Sequence, residues 1–219
     1  MKATADIFEA VSTGNLDLAK KFLNGEPALA NARDTSGLSP LMQALYRRRM
    51  DIVDVLLAAG AKLDAFEAAA LGRVEAVTEI LDANPGTVDA RSPDGFTLLH
   101  LAAFFGRDDV VGLLLERGAA ANAVSQNAMS LTALHSAASC GARGIMASLL
   151  DHGADPNARQ QGGWTALHAV AKHGDLEAVD MLLARGSDPA VPSDDGKTAL
   201  SLATESGHQA VAERLKTNS

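Results

Sequence analysis

The sequence predicts an all-α solenoid, in which helix–turn–helix units stack and are joined by short hairpin-like fingers, as one domain over residues 1–219. Three observations predict it. A glycine placed to close a short helix recurs at Gly14, Gly72, Gly106, Gly141, Gly174 and Gly207, with Arg48 in the same place, at steps of 34, 24, 34, 35, 33 and 33 residues. Thr-x-Leu begins at one register before four of these positions, at Thr97, Thr132, Thr165 and Thr198. The chain is 47% hydrophobic but only 4% aromatic, and its Ala and Leu side chains suit helices packed closely on helices.

The units run approximately 1–33, 34–63, 64–91, 92–125, 126–159, 160–192 and 193–219. In the last four, Thr97, Thr132, Thr165 and Thr198 place a hydroxyl to cap a first helix of about eight residues, a length too short to be stable alone. A left-handed residue ends it. The second helix opens on acidic residues that suit the helix dipole, such as Asp17, Asp108, Asp109, Asp175 and Glu177. It closes at Gly60, Gly118, Gly153 or Gly186 in the C′ position. The 24-residue step into the third unit leaves no room for an Asp-Gly-x-Thr finger, so a gap in the row of fingers is expected there. Phe66-Glu67-Ala68 also mirrors Phe8-Glu9-Ala10, and Leu81-x-x-x-Pro85 mirrors Leu23-x-x-x-Pro27, which reads as an internal duplication.

Thr132-Ala133-Leu134-His135 and Thr165-Ala166-Leu167-His168, with the spacing above, resemble the ankyrin repeat, whose signature is Thr-Pro-Leu-His-x-Ala. The resemblance covers about Ala5 to Leu215. The signature proline survives only at Pro40, with Leu98, Ala133, Ala166 and Ala199 elsewhere. Proline at the first helical position only presets φ, so good helix formers replace it at little cost.

Composition narrows the function. Lys and Arg total 19 against 27 Asp and Glu, a formal charge of −8, which disfavours nucleic acid and anionic lipid as partners. The single cysteine, Cys140, excludes an intramolecular disulfide. Met1 to Asp6 hold no apolar h-region, and no apolar run reaches membrane-spanning length, so a cytoplasmic protein is expected.

His100, His135 and His168 share a register, which raises a metal ladder as one reading. Repeats about 8–10 Å apart cannot bring two imidazoles within about 2 Å of one zinc. The resemblance implies a structural role instead, hydrogen bonding across neighbouring loops. No phosphate loop or nucleophile elbow is present, so no enzyme, metal or cofactor is expected. Cys140 precedes a helix-ending glycine and reads as a small apolar contact.

The resemblance implies a protein-binding scaffold, regulator or inhibitor, a monomer whose partner meets the fingers and the concave ends of the first helices. The alternative is a nucleic-acid- or small-molecule-binding array. Carried over position by position, the partner-binding candidates are Leu38, Tyr46, Arg47, Phe96, Phe104, Phe105, Leu131, Trp164, Lys172 and His173. Five of the chain's eight aromatics fall in this set. Clustered exposed rings mark interaction surfaces, and Trp, Tyr and Arg are enriched at hot spots. The finger rings Phe96 and Trp164 are equally readable as packing on the next finger. Arg47-Arg48-Arg49 reads either as a solvated helix end favoured by the dipole or as a contact for an acidic partner beside Tyr46.

Overall fold

The structure is a computed structural model that describes residues 2–217. Among the described residues, fourteen α-helices pair into seven helix–turn–helix units. They are α1 (Lys2–Thr13) with α2 (Leu16–Gly25), α3 (Pro40–Tyr46) with α4 (Met50–Ala58), and α5 (Ala65–Leu71) with α6 (Val74–Ala83). Then come α7 (Leu98–Phe104) with α8 (Asp108–Glu116), α9 (Ala133–Cys140) with α10 (Arg143–Asp151), α11 (Ala166–His173) with α12 (Leu176–Ala184), and α13 (Ala199–Glu205) with α14 (Gln209–Lys216). Short 3-10 turns at Pro27–Asn31 and Pro85–Asp89 follow α2 and α6, where the mirrored Leu-x-x-x-Pro stretches stand.

The residues divide into two compact units, one up to Ala68 and one from Ala69 onward. In the first, Ile7, Leu41, Leu45, Ile52 and Leu56 form the buried centre. In the second, it runs through Leu81, Leu98, Leu99, Leu114, Leu134 and Ile145 to Leu167, Leu182 and Leu215. These helices are 7 to 12 residues long, so neighbouring pairs supply the burial that local hydrogen bonds do not.

Each first helix starts where its capping chemistry dictates. Thr97 accepts the backbone N–H of His100, and Nδ1 of His100 accepts the backbone N–H of Thr97, a reciprocal capping box. Thr132 with His135, Thr165 with His168 and Thr198 with Ser201 repeat the device. The residues that replace the signature proline are the first helical positions of α7, α9, α11 and α13. Gly141 and Gly174 close α9 and α11 at φ of 70° and 76°. Arg48 occupies that place after α3 at φ 55°, a conformation L side chains adopt only with strain.

The connection from α4 to α5 runs only through residues 59–64. Asp64 does the work of the absent finger threonine: its Oδ1 accepts the N–H groups of Phe66 and Glu67, each at 2.9 Å. Glu67 returns the bond, accepting the N–H of Asp64 at 2.8 Å.

Candidate partner-binding surface

The fingers are pinned from behind by histidine. Because Nδ1 of His100 accepts from Thr97, its Nε2–H donates forward to the carbonyl of Leu131 at 2.8 Å. His135 donates likewise to the carbonyl of Trp164 at 3.2 Å, and His168 to that of Lys197 at 3.0 Å. All three rings are buried, which disfavours the imidazolium and pushes their pKa values down, that of His100 to about 4. Both nitrogens of each ring are engaged in these bonds. Among the described residues, no three His, Cys, Asp or Glu side chains gather as metal ligands.

Asparagine clamps the other end of each finger. Asn31 donates to the carbonyl of Gly60 at 3.1 Å and accepts the N–H of Lys62 at 2.7 Å. Asn122 spans Gly153 and Asp155 in the same way, and Asn157 spans Gly186 and Asp188. The paired donor and acceptor orient each amide uniquely. Asp89, at the same register, makes only the accepting half, from Ala120 at 3.0 Å.

Finger tips are tied to one another by backbone bonds from Gln126 to Gly95, from Gln161 to Met129 and from Asp194 to Gly162, at 2.9, 2.9 and 2.8 Å. The finger between Ser125 and Thr132 is two residues longer than its neighbours, and it turns at Ser130 with φ 47°. It exposes Met129 to 45%. Met129 and Val124, also exposed, lie outside the candidates named from sequence. The 35-residue step from Gly106 to Gly141 was the visible sign of the longer finger.

In the second compact unit, Phe104 is exposed at the end of α7, and Phe105 beside it is half-buried, the rings edge-on at 5.0 Å and 84°. The thiol of Cys140 donates to the carbonyl of Ala103 at 3.4 Å, which ties the end of α9 to the end of α7. Phe96 is half-buried, with its ring 6.0 Å from that of His100. Trp164 is also half-buried, 5.7 Å from the His168 ring. The exposed ammonium of Lys172 stands 5.5 Å from the Trp164 centroid, a cation–π contact, and His173 is exposed next to it. Leu131 is half-buried and offers its carbonyl to His100. The end of α7, with Phe104 and Phe105, and the Trp164–Lys172 pair with His173 therefore hold five of the ten candidates within this unit. In the first compact unit, Leu38 and Tyr46 are half-buried and Arg47 is exposed.

Three ankyrin-repeat family models match the chain, over residues 36–67, 65–160 and 149–203. The chain belongs to the ankyrin-repeat family. Ankyrin repeats are protein–protein interaction modules and typically non-catalytic. Alpha-latrocrustotoxin-Lt1a of Latrodectus tredecimguttatus is 29% identical over 116 residues, 49% of this chain and 8% of that protein. The ankyrin repeat and KH domain-containing protein mask-1 of Caenorhabditis elegans is 34% identical over 130 residues, 53% of this chain and 5% of that protein. The chain thus spans less than a tenth of either relative's length. Among the described residues, no helix is long and apolar enough to cross a membrane.

Proposed function

We propose that this chain is a cytoplasmic, monomeric scaffold, regulator or inhibitor that acts by binding another protein through its fingers and first-helix ends. The observation that carries the reading is the exposed Phe104 beside Phe105, on the same compact unit as Trp164 with Lys172 above its ring. A large apolar ring held partly in water is an unfavourable exposure that a partner would relieve. The residues we assign to the contact are Leu38, Tyr46, Arg47, Phe96, Phe104, Phe105, Leu131, Trp164, Lys172 and His173. No step of this reading needs a cofactor or a bound nucleic acid.

The test is the double variant Phe104→Ala with Trp164→Ala. Capture of a partner from native lysate, identified by mass spectrometry, is expected to be lost while the helical circular dichroism stays near wild type. Unchanged capture by a folded variant would remove these rings from the contact, and collapse of helicity would make them core.

A further inference from the structure

Charge is sorted between the two kinds of helix. In a chain of net charge −8, second helices carry acids such as Asp51, Asp54, Glu75, Glu79, Asp108 and Asp109. Among the described residues, the last turns of the first helices hold one carboxylate, Glu205, and Lys197 neutralises it at 2.7 Å. The cations at that register are not neutralised. Lys172 and, in the first compact unit, Arg47 and Arg48 are exposed and have no carboxylate within ion-pairing distance among the described residues. In each compact unit taken alone, the cation accompanies an aromatic ring: Tyr46 with Arg47, and Trp164 with Lys172 at 5.5 Å.

Resting on the protein-binding reading above, we propose that the partner segment is an acidic peptide, with an Asp or Glu set beside an apolar side chain. The carboxylate meets Lys172 and His173 and the apolar side chain beside it lies against the Trp164 ring, while Phe104 and Phe105, two repeats along the same unit, take a further apolar side chain of the segment. Within the first unit taken by itself, Tyr46–Arg47–Arg48 repeats the pairing of ring and cation in sequence. A uniformly acidic protein would repel such a segment, but the acids stand mostly on second helices and in the fingers, and the last turns of the first helices, with one neutralised carboxylate, stay attractive.

The probe is a random library of linear peptides displayed on phage and selected against the full chain. Enrichment of peptides with Asp or Glu near Leu, Phe or Trp is expected. For a selected peptide, Lys172→Glu is expected to weaken binding at least about fivefold, and Lys172→Met, which keeps the stem on Trp164, by less. Circular dichroism checks that both variants fold. Enriched peptides without acid bias, lost on Phe104→Ala, would overturn the acidic preference and leave the protein-binding reading standing. No enrichment would sink both. Tighter binding of a single-stranded RNA oligomer than of any selected peptide would show that the cations and rings serve nucleic acid instead.

Discussion

Ser39 donates its hydroxyl hydrogen bond to Oε1 of Glu67, which is 1% exposed and stands at the register where later units place histidine. The histidines reach forward to the next finger, whereas Glu67 reaches back to the cap of α3 and to Arg33 at 3.3 Å. A carboxylate has no N–H to give a carbonyl. It can only collect donors, and Ser39, Arg33 and the N–H of Asp64 are those within reach.

Burial pushes the Glu67 carboxyl above its usual range, so the folded chain binds this proton more tightly than the unfolded chain does. Its contribution to stability therefore grows as pH falls from above the folded pKa to below the ordinary value, and is lost as pH rises back through that window. Glu67→Gln has no such proton. Melting temperatures measured between neutral and acidic pH should show wild type gaining on the variant as pH falls. A constant difference would mean that Glu67 titrates as it does in the unfolded chain.

The histidines act in the opposite sense. With folded pKa values below 6.5, they stabilise the neutral fold fully above 6.5 and lose that contribution as pH falls. His100, held at about 4, should cost roughly 3 kcal/mol of stability between pH 6.5 and 4. His100→Gln should cost about 1–3 kcal/mol at neutral pH, through the lost bond to Leu131, and should flatten the acid limb of a urea-midpoint profile.

Arg48→Gly is expected to stabilise the chain by up to about 1 kcal/mol, relief of left-handed strain being partly offset by the freedom glycine gains in the unfolded state. Chemical denaturation reads this directly. A lower midpoint would mean that the Arg48 side chain makes contacts worth more than its strain.

Asn157→Ala should destabilise by about 1–2 kcal/mol, since it removes both the bond to Gly186 and the bond from Asp188. Asn157→Asp keeps only the accepting half, as Asp89 does naturally, and should fall between wild type and the alanine variant. Equal losses for the two variants would place the whole effect on the donor.

The threonine caps, which close within one unit, were legible in the sequence. The returning bond, by which Nδ1 of His100 accepts from Thr97 and fixes the histidine tautomer, was not read there. The clamps by Asn31, Asn122 and Asn157 were not, because each partner lies about one repeat away and nothing local specifies it. Glu67 was visible only as half of a duplicated motif. Its twin Glu9 is exposed, so the motif alone does not set burial, and Glu67 is buried where Ser39, of the preceding unit, and Arg33 meet it. Of the candidate surface, the register of Phe104 and Trp164 could be read in advance. Which of the two adjacent rings at the end of α7 is the more exposed is not set by the repeat register, and Met129 is exposed because the extra residues enter at that finger alone.

Arg107 packs its side chain over Gly72 and donates from Nε to the carbonyl of Ala70 at 2.8 Å, and His208 does the same over Gly174, reaching Lys172 at 3.0 Å. A methyl group on Gly174 would stand 2.4 Å from the His208 ring. Gly106 meets nothing there, because the residue that follows Gly141 is Ala142. The modules are therefore not interchangeable. A graft or deletion that separates Gly174 from His208, or seats an arginine-bearing module against one closed by a larger residue, breaks a lock whose two halves sit in different repeats. Shuffled arrays built from this chain must move such pairs together.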